Sequence, residues 1–113
     1  MLSRAHRISR GGDVTMAVRR GRRTVTPHAV LYRVSTAEPH PPRFAVVVSK
    51  KVGGAVVRNL VRRRIQSICA GSASLLPAGD LVVVRALPGS PEVSWDTLRT
   101  EIGDGLRRAV MAR

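Results

Sequence analysis

The sequence predicts one α+β domain of order α-β-β-β-α-β-α, a small sandwich in which a four-stranded sheet is packed with helices. Three observations carry this. Two runs, Phe44-Ala45-Val46-Val47-Val48 and Leu81-Val82-Val83-Val84, are apolar on both faces, which marks strands inside a sheet. Two longer stretches, residues 55–70 and 95–111, repeat apolar residues at helical spacing. The 113 residues contain no repeat and no linker, so 1–113 is read as a single domain. A core at this length removes roughly two thirds of the open chain's surface from water, enough to fold without metal or disulfide.

Each element follows from local chemistry. Residues 1–8 are basic and are expected to form a flexible arm. Ser9 to Arg20 is a short helix, because Val14, Ala17 and Val18 share a face and Asp13 suits the positive first turn. Gly21 is expected to stop it as a left-handed cap. Thr24-Val25-Thr26 is a short β-branched strand. His28 to Ser35 is the next strand, with Val30 and Tyr32 on one face and Leu31 on the other. Thr36 to Pro42, with three prolines, is a loop. Arg43 to Ser49 is a strand expected at the sheet's centre. Lys50 to Gly54 turns into the strongest helix, Ala55 to Ala70, ended near Gly71. Leu75 to Gly79 connects to the strand Asp80–Ala86, and Leu87 to Val93 is a loop. Ser94 caps the last helix, Trp95 to Met111, whose stripe is Leu98, Ile102, Leu106, Ala109 and Val110. Gly103 and Gly105 mark a break or a close packing contact there.

Charge narrows the function. Lys plus Arg is 20 against 7 Asp plus Glu, a formal net charge of +13. A compact body so charged repels itself, and a polyanion relieves that repulsion while its counterions are released. All but two of the 20 cations are arginine, which forks onto phosphate and stacks on bases. No acid stands between Glu38 and Asp80, whereas Arg43, Lys50, Lys51, Arg58, Arg62, Arg63 and Arg64 do. The first sixty-odd residues therefore read as the binding surface and the acid-bearing second half as its support. The first 23 residues share their arginine-rich, acid-poor character with transit peptides, but they run straight into folded-looking sequence and read as arm plus helix. The longest apolar run, Phe44 to Val48, is too short to span a membrane, and a single cysteine excludes an internal disulfide. The chain reads as a cytoplasmic, nucleic-acid-binding protein with no membrane contact and no stable protein partner.

One stretch carries most of the functional signal. On a helical wheel Val57, Leu60, Val61, Ile65 and Ile68 form the expected buried stripe of residues 55–70. Arg58, Asn59, Arg62, Arg63 and Gln66 form the opposite face, with Lys50 and Lys51 just before it. No acid stands at i±4 to pair with these arginines, so the face repels itself until a polyanion lies on it. Arg64 falls at the stripe's edge, from which its long stem can snorkel.

The run from Phe44 through Ser49-Lys50-Lys51-Val52-Gly53-Gly54-Ala55-Val56-Val57-Arg58-Asn59-Leu60 to Ile65 resembles the signature of the protein subunit of bacterial ribonuclease P. The resemblance extends to Arg7–Gly21, Val30–Tyr32 and Leu81–Ala86. It implies the same α-β-β-β-α-β-α order, with a left-handed crossover through the basic helix. It also implies a role as protein cofactor of a ribonucleoprotein in which a catalytic RNA with Mg²⁺ removes the 5′ leader of precursor tRNA. Carried over by position, the catalytic-RNA contact falls on Lys50, Lys51, Arg58, Asn59, Arg62 and Arg63. The leader cleft falls on Val14, Val18, Val30, Tyr32, Arg43 and Val47. The sequence departs from the family where aromatics are usual at Val14 and Val18, asparagine at Gly54, and arginine at Leu60. Leu60 is expected to pack rather than touch phosphate, and the cleft to grip bases more weakly.

The residues for self-sufficient hydrolysis are missing from the pattern. His6, His28 and His40 have no ligand spacing and read as solvated groups or phosphate donors. Asp80 and Asp96 read as structural, with a hydrated Mg²⁺ shared with RNA as the other possibility. Cys69 reads as a packed thiol and Trp95 as a core anchor. Neither a catalytic residue nor a bound metal is assigned to the chain, and Mg²⁺ is expected to belong to the RNA. The alternative is a ribosomal or chaperone-like RNA-binding protein without a processing role.

Overall fold

In the computed structural model, which describes residues 2–111, the seven elements fall in the expected order. They are α1 (Gly11–Arg20), β1 (Arg22–Val25), β2 (Ala29–Ser35), β3 (Arg43–Val47), α2 (Ala55–Ser72), β4 (Asp80–Ala86) and α3 (Trp95–Met111). The strands form one mixed sheet of order β1-β2-β4-β3. β1 with β2 and β2 with β4 are antiparallel, whereas β3 with β4 is parallel, so α2 is the crossover between parallel neighbours.

The alternation of side chains along the strands divides the core in two. Leu31, Phe44, Val82 and Val84 point to one face, where Val61, Ile65, Ile68 and Cys69 of α2 and Leu98, Ile102 and Leu106 of α3 cover them. Val30, Tyr32, Leu81 and Val83 point to the other, where Ala17 of α1 and Ile8 close over them. Gly105 sets the depth of α3. A Cβ there would stand 2.8 Å from both Leu31 Cδ1 and Thr26 Cγ2, so this glycine is a close packing contact and α3 runs through it unbroken.

Several expectations are corrected. β3 lies at the edge of the sheet, and β4 takes the centre. β3 is nonetheless apolar on both faces because Phe44 and Val46 pack into one core layer and Ala45 into the other, and its free edge is met by residues 2–8. Arg7 bridges to Phe44 in parallel, the Ile8 N–H donates to the Phe44 carbonyl at 2.9 Å, and Leu2 and Ile8 are buried. The segment expected to be a flexible arm is thus packed along an otherwise unpaired strand edge; Met1 lies outside the described residues. Gly21 is extended rather than left-handed (φ −71°, ψ 154°). Its lack of a side chain matters for another reason: a Cβ would fall 2.2 Å from the Ala17 carbonyl oxygen. α2 runs past Gly71 to Ser72 and is rotated from its expected setting. Val61, Ile65, Ile68 and Cys69 are buried, whereas Val57 and Leu60 are open to solvent.

Burial pushes the Cys69 thiol up from 9.0 to about 12. The folded chain therefore holds this proton more tightly than the unfolded chain. Its contribution is intact below pH 9 and is lost as pH rises from 9 towards about 12. Melting curves at pH 8 and pH 10.5 should show the wild type losing more stability than Cys69→Ala over that interval.

Candidate nucleic-acid interface

Two surfaces collect the residues singled out by sequence. The first is the solvent side of α2. Gly54 opens the helix with its carbonyl accepting from the Arg58 N–H at 2.9 Å and no side chain capping the first turn. Ala55, Val56, Arg58, Asn59 and Arg62 line a shallow hollow of about 480 Å³. Arg58 and Arg62 stand one turn apart, about 6 Å along the axis. Arg58 Nε is buried without an acceptor, which leaves a charged donor unsatisfied. Arg63 is exposed on the next position round the helix, and Lys50 and Lys51 are exposed in the turn before it. Among the described residues none of these cations pairs with a carboxylate. Lys50, Lys51, Arg58, Arg62 and Arg63, with Asn59 among them, are thus gathered in the turn before α2 and in its N-terminal half with no acidic partner among the described residues.

The second surface is the α1 side of the sheet. Register places Val34, Leu81 and Arg43 in one row, Tyr32, Val83 and Ala45 in the next, and Val30, Arg85 and Val47 in the third. Val30 and Tyr32 are 2% and 7% exposed, so they are floor rather than lining. The third row is open: Val47 is 38% exposed, Arg85 is exposed, and Val25 of β1, the neighbour of Val30, is open too. Val14 and Val18 lie on one side of buried Ala17, with Val18 also exposed. Arg43 stands at the other end of the same face. It lines a polar hollow of about 450 Å³ with Arg10, Asp13, Glu38 and His40, two rows from Val47. All six expected cleft residues thus lie on the α1 side of the sheet, with Val30 and Tyr32 as its base and Arg43 at the opposite end from Val47, in a hollow that also holds Asp13 and Glu38.

Arg85 is the basic residue sequence reading missed. Its guanidinium lies 5.9 Å from the centre of the Tyr32 ring, and it stands in the register row of Val47. The signal was available in the form of an arginine breaking the β4 apolar run on the parity of Val83.

The remaining candidates are structural in this fold. Half-buried His6 bonds through Nδ1 with the Pro42 carbonyl at 2.8 Å, and His28 Nδ1 lies 2.8 Å from Glu101 Oε1, tying β2 to α3. Both were expected to be solvated or to donate to phosphate. His40 Nδ1 meets the Pro41 carbonyl. Asp80 is buried against Arg33 and Ser35, and Asp96 pairs with Arg99. Trp95 is 41% exposed, not a core anchor. Among the described residues no three of His, Cys, Asp and Glu come together as metal ligands would, and no helix is long and apolar enough to cross a membrane.

Comparison with known proteins decides the family. The family model described as Ribonuclease P matches residues 2–110. The chain belongs to the ribonuclease P protein family. The ribonuclease P protein component of Clavibacter michiganensis is 46% identical over 110 residues, covering 97% of each chain. That of Streptomyces avermitilis is 43% identical over 116 residues, covering 96% of this chain and 94% of the relative. The ribonuclease P proteins of Staphylococcus aureus and Thermotoga maritima share the fold. The first superposes with a TM-score of 0.82 at 23% identity over 92% of this chain and 94% of the other. The second gives 0.79 at 23% identity, over 90% and 96%. In this ribonuclease P protein the Arg58-Asn59 pair lies in the first turns of α2 and the Lys50-Lys51 pair in the turn before it.

Proposed function

We propose that this chain, as the protein component of ribonuclease P, binds the catalytic RNA with the basic face of α2 and the 5′ leader of precursor tRNA with the open end of the α1–sheet surface. The ribonucleoprotein cuts the phosphodiester bond that joins leader to tRNA, and the cutting chemistry lies in the RNA. The observation that carries the reading is the run of unpaired cations from Lys50 to Arg63. A surface of this kind is stable as a free face only at the expense of self-repulsion, and RNA phosphates supply the missing charges.

The mechanism follows from what the two surfaces can do. Lys50, Lys51, Arg58, Arg62 and Arg63 neutralise phosphates, and Asn59 adds a neutral donor and acceptor. Lowering the charge of the folded RNA makes its Mg²⁺ requirement smaller; Mg²⁺ itself belongs with the RNA in this reading. Val14, Val18 and Val47 offer apolar contact to an extended single strand, and Arg85 offers a fork for one phosphate. Only the precursor has a leader, so contacts there raise affinity for substrate over product and free the product after cleavage.

The test is leader removal by the catalytic RNA at low Mg²⁺, with and without the purified chain. Restored cleavage is expected; an RNA-binding protein of another kind leaves the rate unchanged. Arg85→Glu should reduce the preference for precursor over mature tRNA by roughly tenfold or more, since one charge-assisted contact contributes about 1.5–3 kcal/mol. Affinity for mature tRNA should stay as in the wild type. Equal loss for both ligands would remove Arg85 from the leader path.

A further inference from the structure

Leu60 and Trp95, expected in the core, are 47% and 41% exposed. They meet where α2 passes the start of α3, and with Arg63, Arg64, Gln66 and Ser67 they line a hollow of about 500 Å³. The Arg64 guanidinium lies 5.9 Å from the centre of the Trp95 ring, within cation–π reach. The chain has one Phe, one Tyr and one Trp, and Phe44 and Tyr32 are buried. Trp95 is thus its one accessible aromatic ring. Neither Arg63 nor Arg64 pairs with a carboxylate among the described residues, whereas Arg99 close by on α3 is held by Asp96.

We propose that this hollow is a second RNA contact, in which an unpaired base stacks on Trp95 and its phosphate is held by Arg63 and Arg64. The proposal rests on the ribonuclease P reading and extends the α2 contact past Arg63 into a hollow that Arg64 and Trp95 also line. Charge selects the occupant. A second copy of a chain carrying +13 would bring arginine against arginine across this seam. A nucleotide brings a flat π-face to the indole and a negative charge to the two forks. The hollow is also continuous with the basic face of α2, because Arg63 borders both. An open indole beside exposed Leu60, flanked by two arginines, is the arrangement expected of a stacking platform, since a base buries the apolar surface while its phosphate gives the arginines a partner.

Trp95, being the only tryptophan, reports its own environment. Titration of the full chain with transcribed catalytic RNA should quench its fluorescence in step with binding. Trp95→Leu keeps apolar bulk without a ring and should weaken binding by roughly tenfold, the loss of one stacked base. It should leave the salt slope unchanged, since no charge is altered. Trp95→Phe restores a ring and should recover most of the affinity. Circular dichroism of each variant checks folding. Unquenched fluorescence together with wild-type affinity in Trp95→Leu overturns the proposal. So does a chain that sediments as a dimer and becomes monomeric only in Trp95→Leu, with RNA affinity untouched. Arg58→Ala with Arg62→Ala serves as the internal reference. If that variant also binds normally, the ribonuclease P reading of α2 fails. If it weakens while Trp95→Leu does not, only the Trp95 contact is lost.

Discussion

Replacing Arg58 and Arg62 together by alanine should weaken assembly with the catalytic RNA by about 100-fold or more, since two charge-assisted contacts contribute about 1.5–3 kcal/mol each. The two side chains stand one turn apart on the open face of α2 and have no carboxylate partner among the described residues. Removing them costs the fold little Coulombic stabilisation and relieves some like-charge repulsion. Melting temperature should therefore stay level or rise slightly while RNA affinity falls. The slope of log K against log salt should flatten by about 1.5, because two fewer phosphates are neutralised. Filter binding across a salt series measures both quantities. Unchanged affinity at moderate salt would dismiss this face as the RNA contact.

The same helix shows how far sequence reading reaches. Its existence, its start at Ala55 and its acid-free polar side were legible from spacing alone, because period and charge are local properties. Its rotation was not. Val57 and Leu60 are as apolar as Val61 and Ile65, and only the position of β3 and α3 decides which pair is covered. The parity of β2 was legible in the same way: Val30 and Tyr32 do share a face apart from Leu31. The long-range partners of the strands left no local trace. The apolar run in β3 reads as a central strand, yet its second neighbour is the stretch around Arg7 and Ile8, which carries no strand pattern of its own. The separation of Arg43 from the open row of the same face has the same origin, since register with β4 and the crossing of α1 decide which row stays open. Trp95 fits a core anchor by composition, and the rotation of α2 that exposes Leu60 leaves its ring open as well.

Asp80→Ala should be the most destabilising single substitution of a polar residue in the chain. The carboxylate is 1% exposed and accepts from Arg33 Nε at 2.6 Å and from Ser35 Oγ at 3.0 Å. Arg33 in turn donates through Nη1 to the Ala109 carbonyl at 3.2 Å, so the ion pair ties the last turns of α3 to the β2–β4 ladder. Truncation leaves a guanidinium that is only 15% exposed without its counter-charge. Breaking a buried pair from one side costs about 3–5 kcal/mol, a large part of the roughly 5–15 kcal/mol that holds a domain folded. For a chain of this length the melting temperature should fall by roughly 15–25 °C. Removing both charges, as in Arg33→Met with Asp80→Ala, should recover much of the loss, because no charge is then left buried and alone. A single variant as stable as the wild type would mean that solvent reaches Arg33 and that the pair contributes no more than a surface ion pair does. The strands that this pair ties together also carry Tyr32, Val83 and Arg85, so the rows of the α1–sheet surface keep their spacing only while β2 and β4 hold this register. Loss of stability and loss of preference for the precursor should therefore appear together in Asp80→Ala as temperature rises, whereas Arg58→Ala with Arg62→Ala separates binding from folding.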